Sequence, residues 1–223
     1  MCCVTITSSS LSFLPSFLSG IQLRKYQLDG VKWMTQCLEQ QQGCILGDEM
    51  GLGKTCQTIS LLLYIFGAHR VKGPFLILSP LSVLETWCKE LSSLSPSLKL
   101  ICYKGDKRKR VEIQREVLKT SDFHLILTTY EVFALSCRWQ WKILVVDEAH
   151  RLKNQKSMLH QTLTQFSVEF RVLLTGTPIQ NNLQELYSLL TFIHAAPSAV
   201  LLKNLIRSVD CQILSIDWAQ KQT

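Results

Sequence analysis

From Gly43 onward the chain alternates short apolar runs with segments of helical periodicity. The runs at 44–46, 75–78, 99–102, 124–127, 143–146 and 172–174 are too short for helices and mostly apolar, as strands covered on both faces are. Helical patterns fill the gaps at 55–66, 83–94 and 107–118. Residues 26–39, with apolar Leu28, Val31, Trp33, Met34 and Leu38, predict a helix before the first strand. Residues 182–193 close the pattern, with Asn182 as a fitting N-cap. Strand and helix in alternation predict βαβ units, hence an α/β fold of three layers: a mainly parallel central sheet with helices on both faces. No internal repeat is visible.

The flanks break this pattern. The first 21 residues carry no charged side chain. Within them, 11–18 (LSFLPSFL) has the apolarity of a signal-peptide core, but no basic segment precedes it and Pro15 interrupts it. Residues 1–20 are therefore expected to be a divergent, disordered leader, 21–193 the folded lobe, and 194–223 a divergent tail. No stretch approaches the roughly 20 apolar residues that span a bilayer, so no membrane partner is expected.

Composition narrows the class without deciding it. With 223 residues, 47% hydrophobic and 18% charged, the chain is long enough for a sizeable core. The formal net charge of +7 favours polyanionic partners such as nucleic acid. The densest basic run, 104–110 (KGDKRKR), fits a phosphate backbone or nuclear import as well as a solvated helix start. Nine cysteines without any C-x-x-C spacing predict neither a zinc site nor a disulfide framework. Cys44 and Cys56 flank the loop described next and are expected to be buried, inert thiols.

Two motifs carry chemistry. DEMGLGKT at 48–55 places Gly51 and Gly53 where backbone N–H groups can curl around a phosphate at a helix N-terminus. Asp48, Glu49, Met50 and Leu52 complete the loop. The Lys54 ammonium is then expected at the β- and γ-phosphates of ATP and the Thr55 hydroxyl on Mg²⁺. Asp48 stands where the strict P-loop pattern has its first glycine. DEAH at 147–150 follows an apolar strand, which puts Asp147 and Glu148 at the carboxyl edge of the sheet, where open α/β folds bind ligands. Asp147 is expected to hold the magnesium and Glu148 to orient and deprotonate the attacking water.

Six blocks in order give the chain a resemblance to the first ATPase lobe of the Swi/Snf-type chromatin-remodelling enzymes, a branch of the superfamily-two helicases. They are LRKYQLDGVKW (23–33), DEMGLGKT, FLILSPLSVLETW (75–87), ILTTYE (126–131), DEAHRLKN (147–154) and LLTGTPIQNNLQELYSLL (173–190). The resemblance implies a recombinase-like P-loop domain. It implies that Gln27 bonds the adenine edge and Arg24 packs on the base. It also implies that Ser79, Pro80, Leu81, Thr128, Thr129 and Tyr130 grip a DNA strand, with Lys153 and Asn154 adding a contact. Thr175, Gly176 and Thr177 would sense the γ-phosphate site through His150.

The implied activity is an ATP-dependent DNA translocase acting on duplex DNA and nucleosomes in the nucleus. A second lobe supplies arginines in such enzymes and is not recognisable after Ile193. This chain is expected to turn over ATP poorly by itself, since arginine fingers contribute on the order of 10³ to 10⁵ in related hydrolases. A nucleotide- and DNA-binding module without turnover is the alternative. DEAH also permits an RNA helicase, although RLKN and GTPIQNN favour the remodelling branch.

Overall fold

The computed structural model describes residues 22–120, 122–131, 139–176 and 183–194. The leader, residues 195–223, Thr177 and Asn182 lie outside them.

The described elements run α1 (Lys25–Glu39), β1 (Cys44–Leu46), α2 (Lys54–Ala68), β2 (Phe75–Leu78), α3 (Leu81–Leu94), β3 (Leu100–Tyr103), α4 (Lys107–Thr120), β4 (Leu125–Thr128), β5 (Trp141–Val146), α5 (Met158–Thr164), β6 (Val168–Leu174) and α6 (Leu183–Ile193), with a 3-10 turn at Ala149–Leu152. The strands form one six-stranded sheet in the order β1-β6-β5-β2-β4-β3. Every described pairing is parallel. Covering both faces requires apolar residues of both parities along each strand, which is why the strands read as unbroken apolar runs. Leu46, Ile77, Leu127 and Val145 face α1, α2 and α3, packing with Met34, Leu62 and Trp87. Their neighbours Ile45, Leu76, Ile126 and Leu144 face the other layer, with Val117, Leu163 and Leu189. The three-layer expectation is met.

Most boundaries moved by one or two residues, but β6 starts four residues before the expected 172. Glu169 and Arg171 hid it. Arg171 lies in the strand yet is only 6% exposed, its guanidinium donating to the Phe166 carbonyl (3.3 Å) and resting 5.6 Å from the Phe192 ring centre. The seven-residue α5 was not anticipated. Its helix is set by Ser157, whose hydroxyl accepts from the His160 amide.

The thiols divide. Burial pushes Cys37 up to about 11 and Cys44 well above its ordinary value. Cys56 is raised too, first by burial and then by nearby Glu90. These three are free and unreactive in character. Cys88 of α3 and Cys102 of β3 form a disulfide across 14 residues, the one cross-link among the described residues, which the lack of C-x-x-C spacing did not foretell. Among the described residues no helix is long and apolar enough to cross a membrane.

Candidate nucleotide site

The carboxyl ends of β1, β6, β5, β2 and β4 lie in register along one edge, and the expected site residues sit there. After β1 the chain turns through 48–53 and enters α2 at Lys54. Two glycines make that turn: Gly51 and Gly53 have φ of +85° and +78°, a region that side chains rarely adopt. Gly53 is also needed for space, because a Cβ there would stand 2.3 Å from the Gln27 amide nitrogen.

Helix α1 holds the loop from outside. The Tyr26 hydroxyl and the Gln27 side-chain amide both donate to the Leu52 carbonyl, at 3.3 and 3.2 Å. The other atom of that amide, Gln27 Oε1, accepts from the Arg24 backbone N–H at 2.9 Å. Gln27 was expected at the adenine edge. In this structure both ends of its amide are engaged by the protein, one of them on the phosphate loop, so its visible role is to brace the loop. Arg24 is exposed beside it.

Asp48 is only 2% exposed, and its Oδ2 accepts from the Gln57 side chain at 2.9 Å. This pair was not anticipated as a unit. The two side chains stand nine positions apart across the turn, and no motif spacing joins them. Lys54 Nζ donates to the Asp48 and Glu49 carbonyls, at 2.7 and 3.0 Å, which keeps the ammonium over the loop. Thr55 follows in the first turn of α2.

Asp147 ends β5 and is held on four sides. Its amide donates to the Leu78 carbonyl at 2.8 Å. The Trp87 indole N–H donates to Oδ2 at 2.8 Å, and the Glu148 amide to Oδ1 at 2.9 Å. The Tyr130 hydroxyl donates to its backbone carbonyl. Glu148 has φ +48°, a left-handed conformation that turns the chain out of the strand. Its Oε2 lies 3.1 Å from His150 Nδ1. On the neighbouring strand, Thr175 donates its amide to the Leu46 carbonyl (3.1 Å), and Gly176 lies so close to Met50 that a Cβ would meet its Cγ at 3.3 Å. Thr175 and Gly176 thus abut the phosphate loop, while His150 faces Glu148.

Burial, foremost, pushes the Asp147 carboxyl above its ordinary range. The Trp87 and Glu148 N–H bonds act the other way, as does the charge of Lys54. A carboxyl whose folded-state value exceeds the unfolded one stabilises the fold while protonated. That contribution is lost as pH rises through the folded-state value, so at neutral pH the ionised carboxylate costs stability. Asp147→Asn removes that ionisation, at the loss of one acceptor for the Trp87 or Glu148 N–H. Its melting temperature is therefore expected to depend less on pH than that of the native chain, which should lose stability between acid and neutral pH; calorimetry at pH 4 and pH 7 checks it.

The donor set suits magnesium. Thr55 and Asp147 offer only hard oxygens, which this cation prefers when phosphates and water supply the rest of its shell. Nothing lies within 4 Å of a Cβ built on Gly51, which leaves room above the loop. Among the described residues no cluster of three or more His, Cys, Asp or Glu forms a self-sufficient metal site. A separate groove of about 540 Å³, lined by Leu38, His69, Lys142 and Phe170 among others, lies at the opposite edge of the sheet.

The residues expected to grip DNA divide between buried and exposed ones. Ser79 and Thr128 are buried, with hydroxyls donating to the Pro80 and Tyr103 carbonyls. Tyr130 is buried and spends its hydroxyl on Asp147. Pro80 and Thr129 are buried as well. The hydroxyls of Ser79, Thr128 and Tyr130 serve the sheet edge, not solvent. Lys153 pairs with Glu185 at 2.8 Å. Leu81, 73% exposed, and Asn154 do face solvent.

Residues 26–203 match the SNF2-related domain. The chain is 64% identical over 190 residues to chromodomain-helicase-DNA-binding protein 1-like of Danio rerio, covering 82% of this chain and 18% of that protein. It is 41% identical over 183 residues to the ISWI chromatin-remodeling complex ATPase ISW1 of Saccharomyces cerevisiae, covering 80% and 16%. Among solved structures, the Sulfolobus solfataricus SWI2/SNF2 ATPase core in complex with dsDNA superimposes with a TM-score of 0.72 at 34% identity, over 81% of this chain and 37% of that one. The chain spans less than a quarter of the length of these two curated relatives.

Proposed function

The chain belongs to the SNF2-related family, and from that premise we propose that it forms the ATP- and Mg²⁺-binding lobe of a motor that moves along duplex DNA and repositions nucleosomes. The observation that carries the reading is the meeting of three segments at one sheet edge: the phosphate loop before Lys54, the Asp147-Glu148 end of β5, and Gly176 packed against Met50. Such an edge is where parallel α/β sheets bind nucleotides.

Each residue then has work to do. The backbone of 49–53 and the Lys54 ammonium bind the phosphates, and Arg24 stacks on the base. Thr55 and Asp147 hold the metal, which when bound neutralises charge on the phosphates. Glu148 takes the proton of the attacking water, oriented by His150. Leu81, Asn154 and backbone amides along the same edge meet the DNA strand, giving tracking without sequence choice. A second lobe completes the site with arginines, and the substrate places the protein in the nucleus.

The similarity to ISW1, a chromatin-remodeling complex ATPase, supports this chemistry. The double-stranded DNA in the Sulfolobus complex supports the nucleic-acid class. The test is ATP binding and ATP turnover by the 223-residue chain alone, with duplex DNA and with duplex RNA. Magnesium-dependent binding with slow turnover that duplex DNA raises is the expected result. Binding with no turnover would mean a nucleotide-binding module that needs its other lobe. Stimulation by RNA alone would replace DNA as the track, and no binding would remove the reading.

A further inference from the structure

The block FLILSPLSVLETW ends in Trp87, to which the sequence assigned no task. The structure gives it one. Helix α3 presents Leu84, Trp87 and Leu91 on one buried face, and Trp87 itself is 2% exposed. A phenylalanine could fill such a position. What an indole adds is a ring N–H, which must find an acceptor when buried. Here the acceptor is Oδ2 of Asp147, 60 residues away and 2.8 Å distant. The Tyr130 hydroxyl grips the backbone carbonyl of the same residue, and Tyr130 follows β4 at the same sheet edge. The carboxylate is thus held by α3 through Trp87 and by the adjacent Glu148 amide, while the end of β4 holds the backbone of the same residue through Tyr130. Helix α3 itself begins at Leu81, the exposed residue on that edge.

Resting on the reading of Asp147 as a magnesium carboxylate, we propose that Trp87 is a positioning residue that sets the Asp147 side chain for the metal and ties it, through α3, to the edge at Leu81. Groups that orient a metal-binding carboxylate from behind commonly contribute ten- to hundredfold to metal affinity. Phenylalanine keeps the packing and deletes the N–H, so Trp87→Phe isolates that contribution. Leu84→Ala weakens the same helix face without touching Asp147 and serves as the packing control.

The experiment titrates Mg²⁺ into the 223-residue chain in the presence of a fluorescent ATP analogue and reads binding, not turnover. Trp87→Phe is expected to need about tenfold more Mg²⁺ for half-saturation, with its metal-free nucleotide affinity unchanged. Leu84→Ala should leave the Mg²⁺ midpoint in place. Trp87→His, which retains a ring N–H, should recover part of the shift. An unshifted midpoint in Trp87→Phe overturns the inference, as does an equal shift in Leu84→Ala. Failure of the unsubstituted chain to bind the analogue overturns the nucleotide-site reading and this inference with it, a result distinct from the other two. Should Trp87→Phe not fold, fluorine NMR of the fluorotryptophan-labelled chain reads the same contact. The Trp87 resonance is expected to move at the Mg²⁺ midpoint, and a resonance that stays put overturns the inference.

Discussion

Lys54→Ala is expected to weaken ATP binding by about ten- to hundredfold while leaving the fold intact. The ammonium begins α2 and already lies over the loop through its bonds to the Asp48 and Glu49 carbonyls. Hydrogen bonds to charged groups contribute roughly 1.5–3 kcal/mol each, and 1.4 kcal/mol is about a factor of ten. The loop itself has other anchors: Tyr26 and Gln27 hold Leu52, and Gln57 holds Asp48. Lys54 is therefore not the only brace, and its loss should register in affinity rather than in unfolding. Calorimetric titration of ATP into the native and substituted chains, with circular dichroism as the folding control, checks this. Equal affinities would remove Lys54 from the phosphate site.

The sheet was legible because burial on both faces leaves an unmistakable trace. Strands 44–46 and 75–78 match β1 and β2 residue for residue, since every position in them had to be apolar. Strand β6 was only half legible. Its first residues alternate polar and apolar, and the interior partners that make Arg171 acceptable, the Phe166 carbonyl and the Phe192 ring, come from elsewhere in the chain. Helix α5 was missed because seven residues give too little periodicity to read.

At the site, motif spacing located the phosphate loop and the acidic pair, and six blocks in order gave the family that the comparisons bear out. What spacing could not supply was the direction of each side chain. Ser79, Thr128 and Tyr130 read as ready hydroxyls on strand ends, yet all three point inward and bond to carbonyls. Gln27 read as a ligand and also braces the loop. Trp87, only the end of a motif block in the sequence, reaches a carboxylate 60 residues away. Apart from the bond of Ser79 to its neighbour Pro80, these contacts join segments distant in sequence, and no local pattern records such a meeting.

Glu148→Gln is expected to separate hydrolysis from binding, which Lys54→Ala weakens. Glutamine matches glutamate in size, so the left-handed turn at this position and the approach to His150 Nδ1 can persist. An amide, however, takes up no proton at neutral pH, and a general base contributes about 10²- to 10⁴-fold to such reactions. The substituted chain should bind ATP as the native chain does, and the nucleotide recovered from it after incubation should remain ATP at times when the native chain yields ADP. Adding duplex DNA to both samples should widen the gap, since stimulation acts on a step that Glu148→Gln has already closed. Equal release of phosphate by the two chains would assign the base to another residue. Loss of binding in Glu148→Gln would mean that this carboxylate shapes the site itself, with His150 as its partner in that task.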